Sequence, residues 1–428
     1  MFKVLVIAYY FPPMGMSGIQ RPFKFVQYMK KYNWEPTVIT TGDPSYYAID
    51  EQLAKELKDS DVRVIRTEPS SNNGNGAYKK SRRLSREFYR KCINRLGQTF
   101  FIPDTKITWA KRAFDLVEDL LKKEKFNAVY IIGPPFSSVH IFSKLKHKYN
   151  LPLVIDYGDL WSESYFAFYP TPLNKYLNKK MEYNALKSAD KIIAANRKIK
   201  ENLLNKYQFL TFKDVVIITN GFDPEEFKNV TVWPKHNERM RLTYSGIFQI
   251  YNTPKYFLKA FKEISIEHPE IAKNIELHFI GFLRKENENL IEKLNLREFV
   301  FNHGFVSHHD AAARLRNSDV FWMMVNNRKR IESVVPGKIY EYIGAKKPII
   351  GFVPDGAAKI ILEEYPASYI CKPDDINEIK KTILQVYEDY RNDNFPKVDD
   401  EFLTNLRRDY LTEQLVKEFQ FLVKAVVR

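Results

Sequence analysis

Short runs of consecutive apolar residues alternate along this chain with longer stretches in which apolar residues return every three or four positions. Residues 4–8 read Val4-Leu5-Val6-Ile7-Ala8, a continuous apolar run of the kind that forms a central parallel strand buried on both faces. A loop holding Pro12, Pro13, Gly15 and Gly18 follows at residues 11–20, then a helix over 21–32 and a strand over 34–40. Further strands are predicted at 128–133, 153–156 and 190–195, and a later series at 242–246, 277–281, 299–303, 320–324 and 349–353. With helical segments between them, these runs predict an α/β protein built on parallel sheets covered by helices on both faces.

A chain of 428 residues exceeds what one ordinary core supports, so two domains of about 200 residues each are expected. Residues 1–200 make the first domain, and the apolar run at 215–218 opens a second over 215–402, with the boundary within 196–214. The segment 403–428 reads as a closing helix. No repeat of solenoid period is evident.

Composition narrows the class. Hydrophobic and aromatic shares of 44% and 14% are globular values. The net charge of +15 predicts attraction to something anionic, and nucleic acid, an anionic membrane face and a phosphorylated substrate all qualify. The two cysteines, Cys92 and Cys371, lie far apart without metal-ligand spacing, so neither a disulfide framework nor a zinc site is expected and a cytoplasmic location is the simplest. The N-terminal apolar run is short and meets Pro12-Pro13 without a small-residue cleavage site, which makes it a strand rather than a signal peptide. No apolar run approaches the roughly 20 residues needed to span a bilayer, so any membrane contact is peripheral.

One basic stretch bears on that contact. After a Ser/Asn/Gly loop at 70–76, residues 79–95 are rich in Lys and Arg, while Leu84, Phe88, Cys92 and Leu96 recur every four positions. The pattern suits a helix on an anionic membrane surface, and equally a helix packed on its own domain with a solvated basic face.

The densest candidate chemistry lies at 336–348. Pro336-Gly337 precedes a short helical stretch that begins at Lys338, ends near Gly344 and leads into the apolar run at 349–353. Unpaired N–H groups at Gly337 and Lys338, with the lysine charge, suit a phosphate, and Glu341 one turn on is placed to accept from sugar hydroxyls. The bland alternative is a favourable first-turn glutamate after ordinary punctuation. In the first half, His140 and Asp159 are the candidate catalytic residues because each sits just past a strand, where open parallel sheets bind ligands. A lone histidine is more often structural, and Asp159 also suits a turn cap. The loop Gly15-Met16-Ser17-Gly18 is neither Gly-x-Gly-x-x-Gly nor a P-loop.

Pro336-Gly337-Lys338-Ile339-Tyr340-Glu341-Tyr342, followed by Lys347-Pro348-Ile349-Ile350, resembles the donor segment of family-4 glycosyltransferases, which have the GT-B fold. Other segments match in order. Residues 1–21 resemble that family's first strand and Gly-rich loop, and Asp156-Tyr157-Gly158-Asp159-Leu160-Trp161 its Asp-x-Arg-Asp-Pro-Trp segment. Ile218-Thr219-Asn220-Gly221-Phe222-Asp223 and Tyr244-Ser245-Gly246 resemble the start and first strand end of its second domain.

The resemblance implies two Rossmann-like domains facing each other across a cleft, the last helix bracing the first domain, and metal-independent, retaining transfer from a nucleotide-diphosphate sugar. No cofactor is implied beyond that co-substrate. The acceptor would be a glycan or lipid-linked sugar in cell-surface polysaccharide synthesis, at the inner face of the membrane. Gly246, Ser333, Gly337, Lys338, Ile339 and Glu341 would hold the nucleotide sugar, with Lys338 on the diphosphate and Glu341 on the ribose. Gly15, Gly18 and Arg21 would line the cleft.

Two departures stand out. Relatives carry a second Glu eight residues before the ribose Glu, where this chain has Ser333, its nearest Glu being Glu332. Where relatives place a diphosphate-binding cation, this chain reads Gln249-Ile250-Tyr251-Asn252, so Lys255, Arg328 or Lys329 would substitute. The family's Arg and Pro near Asp159 are Gly158 and Leu160 here. The alternatives are a sugar-nucleotide epimerase of the same fold, which needs no acceptor, and a basic glycan- or nucleic-acid-binding protein; no helix-turn-helix, RNA-recognition or zinc motif supports nucleic acid as a partner.

Overall fold

A computed structural model describes residues 1–15, 17–42, 49–67, 97–228, 233–235, 237–248 and 252–427. The loop at 70–76, the basic stretch at 79–96 with Cys92, and Gln249, Ile250 and Tyr251 lie outside the described residues. The chain divides into two compact units, residues 1–220 with 408–428, and residues 221–407.

Among the described residues, the first unit holds a parallel sheet of seven strands, β1 (Phe2–Ile7), β2 (Trp34–Thr40), β3 (Arg63–Arg66), β4 (Ala128–Gly133), β5 (Leu153–Tyr157), β6 (Lys191–Ala194) and β7 (Val215–Ile217), in the order β3-β2-β1-β4-β5-β6-β7. The apolar runs are continuous because both faces are covered. Leu5, Ile7, Val129, Ile131 and Ile155 enter one core, and their neighbours Val4, Val6, Ala128, Tyr130 and Val154 enter the other.

The helix Arg408–Val427 closes that second core with Leu411, Leu415, Val416 and Phe419, and the Phe419 ring lies 5.2 Å from Trp34 and 5.5 Å from Tyr130. Residues 215–217 do not open the second domain. They pair with β6 as the last strand of the first sheet, and the units part at Asn220 and Gly221, then at Arg407 and Arg408.

The second unit holds β8 (Met240–Ser245), β9 (Ile275–Ile280), β10 (Val300–Asn302), β11 (Val320–Met324), β12 (Ile349–Phe352) and β13 (Ser368–Cys371), all parallel, in the order β10-β9-β8-β11-β12-β13. Counted within the unit this is 3-2-1-4-5-6, the doubly wound Rossmann order, with its switch point between β8 and β11. The first sheet has the same switch between β1 and β4. Strand ends at a switch point diverge and leave room for a ligand, and the candidate residues sit at both.

Candidate active site

In the second unit the site is built where β8 ends. Tyr342, buried on the helix Lys338–Gly344 and stacked on Phe321 at 4.3 Å, accepts a hydrogen bond of 2.7 Å from the Ser245 backbone N–H. That bond ties the helix to the strand end and aims its first residue at the switch point.

Lys338 lies with its Nζ 3.6 Å from the centroid of the Tyr244 ring, a cation–π contact. Gly246 adopts φ of 118°, and a Cβ there would stand 2.9 Å from the Lys338 Nζ. Glycine is needed twice over, for the backbone and for the lysine. Gly281 at the end of β9 repeats the theme, because a Cβ there would fall 2.5 Å from the Gly246 carbonyl.

Burial pushes the Lys338 ammonium down to about 7, and the nearby Glu341 carboxylate offsets this only in part. Neither side chain has a hydrogen bond or ion pair among the described residues. Both are half-buried and lie three residues apart on one side of a helix. A cation held in low dielectric and only partly balanced by the carboxylate beside it gains from an added anion.

The other donor residues divide. Gly337 has a helical φ of −56° and open space around a Cβ, so the fold itself does not demand glycine there. Ser333 is half-buried in the preceding loop. Ile339 departs from expectation: its side chain is fully buried and its N–H donates to the Pro336 carbonyl at 3.1 Å, so it belongs to the core. The helix has only seven residues, which leaves its dipole a minor contributor beside Lys338. Lys255, Arg328 and Lys329 are all exposed.

In the first unit Arg21 is likewise not a ligand-facing residue. It is buried in a two-pronged ion pair with Asp156, Nε to Oδ2 at 2.9 Å and Nη2 to Oδ1 at 3.0 Å, and Tyr130 donates to the same carboxylate. The pair pins the helix Gln20–Met29 to β5. Gly15 packs against Asp50, where a Cβ would meet the Asp50 backbone N at 3.3 Å, whereas Gly18 is exposed with nothing near.

Asp159 follows the end of β5. Gly158 donates to the Gly133 carbonyl at 3.1 Å and a Cβ on it would stand 3.1 Å from that oxygen, so β4 and β5 end in close contact. The next residues are held firmly, Trp161 by its backbone N–H on Tyr157 Oη at 3.1 Å and its indole N–H on Asn178 Oδ1 at 3.0 Å. The Asp159 carboxylate, half-buried, has no partner among the described residues, and burial pushes it up to about 6. His140 lies half-buried on the helix Phe136–Phe142 after β4, its pKa lowered by burial and by Lys144. The two share one end of neighbouring strands, and no hydrogen bond joins them.

The chain does contain an Asp-x-Asp pair, the mark of many metal-dependent sugar transferases, at Asp59-Ser60-Asp61. Asp61 pairs with Lys30 at 3.3 Å and is fully exposed, and no metal-binding cluster of acids, His or Cys occurs among the described residues. Tyr244 and Tyr342 stood in the matched segments, but their roles, the ring under Lys338 and the hydroxyl that fastens the helix to β8, depend on contacts across the fold that no local pattern shows.

Residues 225–398 match the family model of glycosyl transferases group 1, and residues 23–226 that of glycosyltransferase family 4. No curated protein sequence matches the chain. Among solved structures it is similar to sucrose-phosphate synthase from Thermosynechococcus elongatus, 14% identical with a TM-score of 0.68 over 99% of this chain and 100% of that one. It is similar to S. aureus TarM, in a complex that includes UDP, at 14% identity and a TM-score of 0.63 over 99% and 100%. A UDP-N-acetylglucosamine 2-epimerase is similar too, at 12% identity and a TM-score of 0.58 over 98% and 96%. At these identities the likeness is one of fold.

Proposed function

This chain belongs to the glycosyltransferases with the GT-B fold, its two halves matching family 4 and group 1 in order, and from that premise we propose that it is a retaining, metal-independent transferase using a nucleotide-diphosphate sugar. The observation that carries the reading is Lys338, without a hydrogen bond or ion pair among the described residues, lodged between the Tyr244 ring and the Cβ-free face of Gly246, with Glu341 beside it. A diphosphate completes the counter-charge that Glu341 supplies only in part, and Glu341 accepts from the ribose hydroxyls. As the glycosidic bond breaks, negative charge grows on the diphosphate, and a lysine fixed in low dielectric stabilises that charge.

Asp159 and His140, at the ends of β5 and β4, are assigned to the acceptor side of the reaction. The acceptor is a glycan or lipid-linked sugar in cell-surface polysaccharide synthesis, presented at the inner membrane face. A relative of this fold is an epimerase, which gives the second reading. Incubation with a nucleotide sugar, with and without acceptor, separates them by mass and NMR analysis of products. Acceptor-dependent release of nucleoside diphosphate supports transfer. Acceptor-free inversion at a sugar carbon supports the epimerase.

A further inference from the structure

The helix Pro172–Ser188 in the first unit turns several polar residues inward and leaves two large apolar ones outside. Its inward positions are Asn174, Asn178 and Glu182, all buried, together with Ala185 and Leu186. These polar groups are accounted for. Asn178 takes the Trp161 indole N–H, Asn174 donates to the Thr99 carbonyl at 3.2 Å, and Glu182 accepts from Lys206 at 3.0 Å and from Tyr157.

Its outward face has no such account. Leu173 and Tyr176 are 62% and 60% exposed, while Tyr183, seven residues beyond Tyr176 and so on its side, is 39% exposed and packs edge-on against the Phe209 ring at 5.0 Å. With Met181, Ala185 and Leu186 already packed inward, the exposed Leu173 and Tyr176 form a patch outside the apolar core clusters of the described residues.

The exposed charges that the helix itself carries have one sign. Lys175, Lys179, Lys180 and Lys187 are exposed, and the only acid of the helix, Glu182, is buried. Aromatic residues extend the patch at its N-terminal end. Phe166 and Phe168 are exposed in the loop that runs into the Thr171 cap, and Phe100, 77% exposed, follows the Thr99 that Asn174 holds.

We propose that this face docks on an anionic lipid bilayer. Tyrosine, leucine and phenylalanine side chains enter the boundary between headgroups and acyl chains, and the four lysines lay their stems along it and meet lipid phosphates. The proposal deepens the membrane part of the functional reading and is independent of the donor site. Loss of vesicle binding leaves nucleotide binding intact, and the reverse.

The test is co-sedimentation of the full chain with vesicles of phosphatidylcholine alone and of phosphatidylcholine mixed with phosphatidylglycerol. The wild type binds the mixed vesicles. Lys179→Gln/Lys180→Gln weakens that binding about thirty-fold, two surface lysines' worth, and Leu173→Ser/Tyr176→Ser weakens it at least about tenfold. Both variants keep wild-type melting and nucleotide binding, since these side chains are exposed. Absence of binding to the mixed vesicles overturns the proposal. So does unchanged binding by both helix variants while glutamines at Lys79, Lys80, Arg82 and Arg83 abolish it, which moves the contact to that stretch. Loss in the helix variants of binding to single-stranded RNA, with no vesicle binding in the wild type, overturns it in favour of a nucleic-acid face.

Discussion

Replacing Lys338 by methionine should make the second unit more stable while removing its donor binding. In the folded chain the Lys338 pKa is about 7 against 10.5 for a free lysine. Between those values the unfolded chain binds the extra proton, so stability rises with pH across the window, and the full cost is present below about pH 7. At pH 7.5 the gap of about 3 units sets an upper bound near 4 kcal/mol, which solvent relaxing around a half-buried ammonium reduces to about 2 kcal/mol.

Methionine keeps the unbranched stem on the Tyr244 ring and carries no charge. For a unit of this size about 2 kcal/mol corresponds to roughly 4–8 °C in melting temperature. Thermal unfolding followed by circular dichroism at pH 7.5 and 9.5 checks this, because at pH 9.5 the gap and the gain fall to about one third. A variant less stable than wild type at pH 7.5, or one equally stabilised at both pH values, would refute the claim that the Lys338 charge is only partly compensated.

Other consequences follow from the same geometry. Gly246→Ala forces a Cβ into a φ of 118° and to within 2.9 Å of the Lys338 Nζ, which should cost about 1–3 kcal/mol in urea unfolding and weaken nucleotide affinity by calorimetry. Nucleoside diphosphate binding should take up a proton above pH 7, as the anion recharges Lys338, and calorimetry in buffers of different ionisation enthalpy reads that proton directly. Asp159, at about 6, should give an activity profile that changes through pH 6, and Asp159→Asn should erase that limb without unfolding the chain. In the second unit Arg314 donates to His303 at 3.2 Å, and His303 is joined to His278 at 2.9 Å and His278 to Glu276 at 3.0 Å, a chain satisfied with both rings neutral. Burial holds His303 at about 4, so its contribution, present above pH 6.5, is lost as pH falls from 6.5 to 4, and urea unfolding should show a loss of about 2–3 kcal/mol that His303→Gln flattens.

What could be read from the residues alone divides by where the determining partner lies. Central strands such as β1, β4 and β11 were legible because burial on both faces writes an unbroken apolar run. Edge strands β3, Arg63-Val64-Ile65-Arg66, and β13, Ser368-Tyr369-Ile370-Cys371, are half-buried and carry no such run. The strand at 215–217 was legible as a strand, but its pairing with β6 depends on register that no local pattern encodes.

The same holds for the site. Lys338 and Glu341 stood out because Pro336-Gly337 marks where a helix must begin. Arg21 was misplaced because its partner Asp156 is 135 residues away. Ile339 was misplaced because adjacent helix residues point in different directions, and this one faces the core. The role of Gly246 became visible only with the Lys338 side chain across from it.

The central claim is that Lys338 and Glu341 hold a nucleoside diphosphate. It is tested most directly by the thermal stabilisation of the purified chain with UDP, GDP, ADP, CMP and dTDP, in wild type, Lys338→Ala and Glu341→Gln. One diphosphate should stabilise the wild type by about 2.7 kcal/mol at a concentration of about 100 times Kd, and both variants should lose most of that shift. No stabilisation by any nucleotide, or an undiminished shift in both variants, would contradict the account.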